Sequence, residues 1–233
     1  TTDPRIVPGA RKLDNISYEE MLELASLGAK VLQTRSVELA RSYKIPLRVL
    51  SSFEEDISEN IGTMVCQEKD IMENIKAVKG VAYSRDEAKL TLVSVADRPG
   101  VAAAIFVPLA NAGVNVDMIV QNISEEGRTD MTFSCPVDQV NRAKKALTGA
   151  MDADLINYKE LIADTLVAKI SIVGNGMRSH AGVAAQMFEV LANEGVNIRV
   201  ITTSEIKVSV LVDRKYMELA VRALHDAFEL ENA

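Results

Sequence analysis

The stretch Leu109-Ala110-Asn111-Ala112-Gly113-Val114-Asn115-Val116 returns later in the chain as Leu191-Ala192-Asn193-Glu194-Gly195-Val196-Asn197-Ile198. At the same offset Gly100-Val101-Ala102-Ala103 returns as Gly182-Val183-Ala184-Ala185, and further on Val137-Asp138 is matched by Val212-Asp213. Self-similarity of this kind marks one structural unit written twice. Each copy reads strand, helix, strand, strand, helix. In the first copy the β-branched alternation at 90–95 predicts a strand, and 101–111 predicts a helix closed by Gly113. Residues 116–123 and 129–135 form a hairpin across Ser124-Glu125-Glu126-Gly127. A second helix follows at 139–147 and a fourth strand at 155–158. That is the βαββαβ ferredoxin-like order. Pro108 lies inside the first helix, where it removes an i→i−4 bond and is expected to kink it.

The second copy runs through strands and helices at 169–173, 183–193, 198–203, 207–212 and 215–228. It has no fourth strand of its own, which would leave a buried sheet edge unpaired. A spare strand precedes the first copy, at Gly80-Val81-Ala82-Tyr83-Ser84. We expect residues 80–84 to complete the second sheet, so that the two modules interlock.

Working outward, residues 1–52 differ from the repeat. Asp3-Pro4-Arg5-Ile6-Val7-Pro8-Gly9 is turn chemistry. Ser17 followed by Glu20 makes a capping box for a helix at 18–27, with Gly28 as its terminator. A second helix is predicted from Lys30 to Tyr43, and Pro46 leads into a strand at 47–50. Residues 53–74 are acidic and polar and read as a linker, with a short strand at 63–66 on its edge. The first module then occupies 75–160 and the second 161–233.

Composition narrows the function classes. The 233 residues carry a net charge of −7, are 48 % hydrophobic and 25 % charged, and contain no Trp. An acidic chain lacks the electrostatic term for phosphate backbones, and 4 % aromatics offer few stacking platforms, so no nucleic-acid partner is expected. No apolar run is long enough to span a bilayer and no secretory signal is visible, so neither a membrane partner nor export is expected. Two cysteines far apart suit a reducing, cytoplasmic setting. A chain that opens on Thr1 is expected to be a fragment or a processed product.

The strand-to-helix loops are the candidate sites. They are Ala96-Asp97-Arg98-Pro99-Gly100-Val101 and Asn175-Gly176-Met177-Arg178-Ser179-His180-Ala181-Gly182-Val183. A helix N-terminus offers unpaired N–H groups and partial positive charge, suited to a carboxylate. Asp97 then either holds an ammonium group, completing a zwitterion site, or simply caps the helix or shapes its turn. Asn115, Asn197, Gln121 and Thr202-Thr203-Ser204-Glu205 are polar groups expected beside the same helix mouths, as ligand contacts or as turn residues. Gly174-Asn175-Gly176 hints at a dinucleotide fingerprint, but the third glycine is replaced by Ser179 and that reading is rejected. His180 and His225 have no second ligand at metal spacing, so no metal site is expected, and His225 reads as a helix-surface residue.

Asp97-Arg98-Pro99-Gly100-Val101-Ala102 with Asn115-Val116-Asp117-Met118-Ile119-Val120-Gln121-Asn122 resembles the first ACT domain of the aspartate kinase family. Ser179-His180-Ala181-Gly182-Val183 with Asn197-Ile198 and Thr202-Thr203-Ser204-Glu205-Ile206 resembles the second. Thr2-Asp3-Pro4-Arg5-Ile6-Val7-Pro8 resembles the family's nucleotide-binding loop, and residues 16–24 and 28–32 continue the match. The resemblance implies an α/β (α+β) protein: a C-terminal fragment of an amino-acid-kinase αβα domain followed by two interlocked ferredoxin-like ACT domains. It implies MgATP-dependent phosphorylation of L-aspartate to 4-phospho-L-aspartate by the complete enzyme, with Thr2, Asp3, Arg5, Lys30 and Val31 as ATP contacts. It implies L-lysine and/or L-threonine as feedback effectors. Their contacts would be Asp97, Arg98, Pro99, Gly100, Val101, Ala102, Asn115, Val116, Asp117 and Gln121 in the first module. In the second they would be Val183, Ala184, Asn197, Ile198, Thr203 and Ser204. It also implies a homodimer through the ACT domains, with effector sites shared between modules. The family's Lys-Phe-Gly-Gly stretch, glycine-rich loops and aspartate-binding residues have no counterpart here, so no catalytic residue is assigned and this chain alone is expected to be inactive. The alternative is a non-catalytic amino-acid-binding regulatory subunit.

Overall fold

The computed structural model describes residues 1–29, 31–53, 62–71, 76–122, 127–178 (Arg178 by its backbone alone) and 180–232. Lys30, Ser179, half of the expected linker and the tip of the 116–135 hairpin lie outside the described residues.

The N-terminal part contains β1 (Asn15–Ser17), α1 (Tyr18–Ser26), α2 (Thr34–Tyr43), β2 (Leu47–Val49) and β3 (Thr63–Cys66). The capping box forms: Ser17 Oγ accepts from the Glu20 N–H, and the Glu20 side chain accepts from the Ser17 N–H. Gly28 follows the C-cap at φ 112°, and Ala29 N–H closes on the Leu24 carbonyl at 2.9 Å. The strand at 63–66 is not on the edge of a linker. It is the middle strand of a three-stranded sheet ordered β1-β3-β2, because Val65 and Cys66 are buried and need a neighbour on each side. The helix expected from Lys30 begins later, at Thr34, because Gln33 before it is extended (ψ 132°).

The repeat supplies β4 (Gly80–Ala96), α3 (Val101–Asn111), β5 (Asp117–Gln121), β6 (Arg128–Pro136), α4 (Val140–Asp152), β7 (Glu160–Val173), α5 (Val183–Asn193), β8 (Ile198–Thr203), β9 (Lys207–Asp213) and α6 (Met217–Ala227). Helix α3 runs through Pro108 as one element. The six strands form one sheet in the order β5-β6-β4-β7-β9-β8. Residues 80–84 and 90–95, read as two strands, are one 17-residue strand. Its first part pairs with the end of β7, from Gly80 opposite Val173 to Ser84 opposite Lys169; after a register shift its second part pairs with β6 and with the beginning of β7. Each long strand therefore serves both modules. The expected fourth strand at 155–158 is not a strand. Asp154 takes φ 58° and Leu155 N–H closes back on Ala150, while Ile156 and Tyr158 turn into the core; β7 begins only at Glu160.

Two helix-on-sheet cores result. Leu90, Leu92, Ile105, Leu109, Phe133 and Leu147 fill the first, and Ile170, Ile172, Met187, Leu191, Val210 and Leu224 the second. Ile6 and Val7 of the N-terminal turn are buried in the second core. His225 is also fully buried, not on the helix surface; its Nε2 lies 2.9 Å from Thr1 Oγ1. The residue reads as polar, but the N-terminal segment covers that face of α6.

Candidate functional site

Both helices after the two loops begin the same way. Gly100 (φ 91°) caps α3 and Gly182 (φ 99°) caps α5, and no side chain caps either helix. A left-handed residue with no Cβ turns the chain sharply into the helix and leaves the first-turn N–H groups facing the loop. Asp97 is therefore not the helix cap. Its N–H donates to the Gly127 carbonyl at 2.8 Å, and its Oδ1 accepts from Gln121 Nε2 at 3.5 Å.

An open cavity of about 500 Å³ lies at the mouth of α3, lined by Asp97, Arg98, Pro99, Gly100, Val101, Ala102 and Gln121. The matching cavity at α5, about 530 Å³, includes His180, Gly182, Val183, Ala184, Thr203, Ser204 and Glu205 in its lining. Each has backbone donors on one wall, the end of the following strand on the other, and one carboxylate, Asp97 or Glu205. Of the sequence-predicted contacts, Asn115, Val116, Asp117, Asn197 and Ile198 line neither cavity. The reason is geometric. They precede or open the strands that run back along the helix, so they stand at its C-terminal end, and only the strand's far end returns to the mouth. Asn115 N–H donates to Gln139 Oε1 at 2.7 Å, and Asp117 Oδ2 pairs with Lys169 Nζ at 2.8 Å. Met177 and His180 of the candidate loop, and Glu205 from the polar run expected beside the mouth, line the second cavity without having been named as effector contacts, and Val208 lines it without having been singled out at all; the repeat itself, which sets 175–183 against 97–100, was the available signal.

The N-terminal turn is a second cluster. Asp3 is the anchor: its carboxylate accepts from Arg5 N–H (2.9 Å), from Arg5 Nε (3.0 and 3.2 Å), from Arg5 Nη2 (2.7 Å) and from Tyr83 Oη (2.9 Å). The Arg5 guanidinium beside it holds the Asp3 carboxyl well below the usual carboxylate range. Arg5 itself is 86 % exposed. Thr2 Oγ1 is buried with no hydrogen-bond partner among the described residues. Val31 is exposed, and nothing is described of Lys30. The described residues contain no group of three His, Cys, Asp or Glu side chains placed for a metal ion, and no helix among them is long and apolar enough to cross a membrane. Cys135 is buried, and burial pushes its thiol up to about 11.

Comparison with known proteins places these parts. Residues 1–51 match the amino acid kinase family, and 89–149 and 170–228 each match the ACT domain. The aspartokinase of Pseudomonas aeruginosa is 54 % identical over 233 residues, covering 99 % of this chain and 55 % of that protein. The chain thus spans about half the length of the curated relatives it matches. The solved regulatory subunit of aspartate kinase from Thermus thermophilus is 41 % identical with a TM-score of 0.62, over 66 % of this chain and 99 % of that one. E. coli aspartokinase III, solved with aspartate and ADP, is 28 % identical with a TM-score of 0.78, over 97 % of this chain and 49 % of that one. The same enzyme is also solved with lysine and aspartate. An amino acid kinase segment joined to two interlocked ACT domains, with relatives alike along its length, makes this chain a member of the aspartate kinase family.

Proposed function

We propose that the chain forms the feedback-sensing part of an aspartate kinase that phosphorylates L-aspartate with MgATP, and that its two helix-mouth cavities take L-lysine and/or L-threonine. The observation that carries this is the duplication of one site chemistry. Each cavity is lined both by the first turn of a helix and by a carboxylate, a pairing that suits the two ends of a free α-amino acid. The first-turn N–H groups donate to the α-carboxylate, and Asp97 or Glu205 holds the ammonium. Asn115–Asp117 and Asn197–Ile198 stand at the opposite ends of their helices, which favours sites completed by a neighbouring module in an ACT-paired homodimer.

For the nucleotide, the residues present fit the group. Arg5 is a fixed, exposed cation that offsets phosphate charge, and Thr2 carries a buried hydroxyl without a partner. MgATP supplies the phosphoryl group; Thr2, Asp3, Arg5, Lys30 and Val31 bind and orient it. Feedback inhibition is then a coupling free energy of about 1–3 kcal/mol between effector and substrate sites.

Isothermal titration calorimetry of this chain with threonine, with lysine and with both tests the sensor. Saturable heat with at least one of them is the expected result, and its stoichiometry counts the sites. No heat from a sample shown folded by circular dichroism overturns the reading for the isolated chain. A second reading, a non-catalytic regulatory subunit, is favoured by the match along 99 % of the Thermus thermophilus regulatory subunit. An upstream kinase-coding sequence fused in frame decides for the first reading.

A further inference from the structure

The loop that the family resemblance matches to ATP contacts does not rest on its own domain. Thr1 carbonyl accepts from the Val81 N–H on β4 at 2.8 Å, and Ile6 carbonyl accepts from Arg222 Nε on α6 at 3.0 Å. Ile6 and Val7 are plugs in the second ACT core. Within this frame one side chain reaches the polar end of the loop. Tyr83, on the stretch of β4 that completes the second ACT sheet, donates its hydroxyl to Asp3 Oδ2 at 2.9 Å. The same residue's main chain bounds the other matched stretch. A Cβ on Gly28 would lie 2.4 Å from the Tyr83 carbonyl oxygen, just before Lys30 and Val31.

We propose that Tyr83 is a positioning residue for the nucleotide loop: it fixes Asp3, and through Asp3 the guanidinium of Arg5. The chain of contacts is continuous. The Asp3 carboxylate is 17 % exposed and has the Tyr83 hydroxyl on one oxygen. Arg5 presents Nε and Nη2 to that carboxylate, so that among the described residues two of its five N–H donors are used and three are left for an anionic ligand. An exposed arginine is otherwise free to sample many rotamers. Holding it in one costs entropy that is lost before the nucleotide arrives, and so is absent from the binding step. Tyr83 belongs to the ACT sheet and not to the kinase segment. The ACT tandem is therefore part of the scaffold on which the nucleotide contact is built.

The inference rests on reading residues 2–8 as nucleotide contacts, and the test separates the two. In the complete kinase, Tyr83→Phe, Asp3→Asn and Arg5→Ala are compared by steady-state kinetics. We expect Tyr83→Phe to raise KM for ATP roughly three- to tenfold with kcat and KM for aspartate unchanged. Adding it to Asp3→Asn should give no further rise, because the two act in series. A merely structural role would move kcat, both KM values and the melting temperature together, and that result overturns the inference. If Arg5→Ala raises KM for ATP and Tyr83→Phe does not, the nucleotide loop stands and the role of Tyr83 falls. If Arg5→Ala leaves KM for ATP unchanged, the loop reading itself fails and takes the inference with it.

Discussion

Asp117 shows how a residue's role is decided by what lies across the sheet. Its sequence neighbours suggest an effector contact; the fold also pairs it with Lys169. That ammonium sits 2.8 Å from Glu87 and 2.8 Å from Asp117, and the Lys169 and Glu87 side chains are only 7 % and 9 % exposed. Burial alone would push Lys169 down, but the two carboxylates outweigh it and hold its pKa above the ordinary value. Lys169→Met should cost about 3–5 kcal/mol, because Glu87 is left charged and buried without a partner. Asp117→Asn should cost under about 1 kcal/mol, because half of that side chain faces water. Urea denaturation of the two variants measures both, and a Lys169→Met protein as stable as the parent would rule the triad out as a structural element. His225 gives the pH counterpart. Burial lowers its pKa below 6.5. The unfolded chain then takes up a proton near pH 6.5 that the folded chain refuses, so stability is full above that pH and falls as the pH drops through it. Asp226 and Glu231 oppose the shift without reversing it. The melting temperature should fall between pH 7.5 and 5.5, and His225→Gln should remove part of that fall. Neither role was legible in the sequence: period and spacing place a residue on an element, but not against the partner from a distant one.

At the scale of elements, local signals read well where one turn contains the whole cause. The Ser17–Glu20 capping box and the Gly28 terminator bound α1, and the repeated glycine-to-asparagine spans bound α3 and α5. Residues 155–158 read poorly because an apolar run that buries Ile156 and Tyr158 looks the same whether or not it pairs with a strand. The capping box also has a long-range half that no local pattern carries. Glu20 is 1 % exposed; one carboxylate oxygen accepts from Ser17 and the other from the Asn175 N–H at 2.9 Å, while Asn175 Nδ2 donates to Ser17 Oγ at 3.0 Å. Asn175 begins the loop that continues through Met177 into the second cavity. Glu20→Gln places an amide NH₂ against one of two N–H donors, an unpaired buried contact worth about 1–3 kcal/mol. Thermal denaturation should show that loss. Calorimetry should show weaker effector binding at the second cavity, since the loop is no longer held from α1. The first cavity gives the complementary case. Gln121 lines it from the end of β5, and Gln121→Ala should weaken an effector there by about 1 kcal/mol while leaving thermal stability near the parent's, since the side chain is exposed.

Over the whole molecule the decisive feature is that neither ACT module owns its sheet. Strand β4 gives residues 80–84 to the second module and the rest to the first; β7 gives residues 169–173 to the second and its earlier half to the first. The same arithmetic of missing strands exposed this in the sequence, because a βαββα copy with no fourth strand must borrow one. The sequence did not disclose that the lender is continuous with the first module's own strand, since Arg85 and Asp86 interrupt the apolar pattern at the register shift. A fragment of residues 161–233 therefore leaves the inner edge of β7 without its neighbour, and removes Val81 along with Ile6 and Val7 from the second core. Backbone groups in a buried edge cannot turn to water, and that loss exceeds the few kcal/mol a module this small has in reserve. It should be unfolded by circular dichroism and show collapsed amide dispersion by NMR. A fragment of 76–233 keeps all six strands and should fold cooperatively, at lower stability than the whole chain because the N-terminal plug is gone. A folded 161–233 fragment would mean that the two modules are neighbours and not one interlocked body.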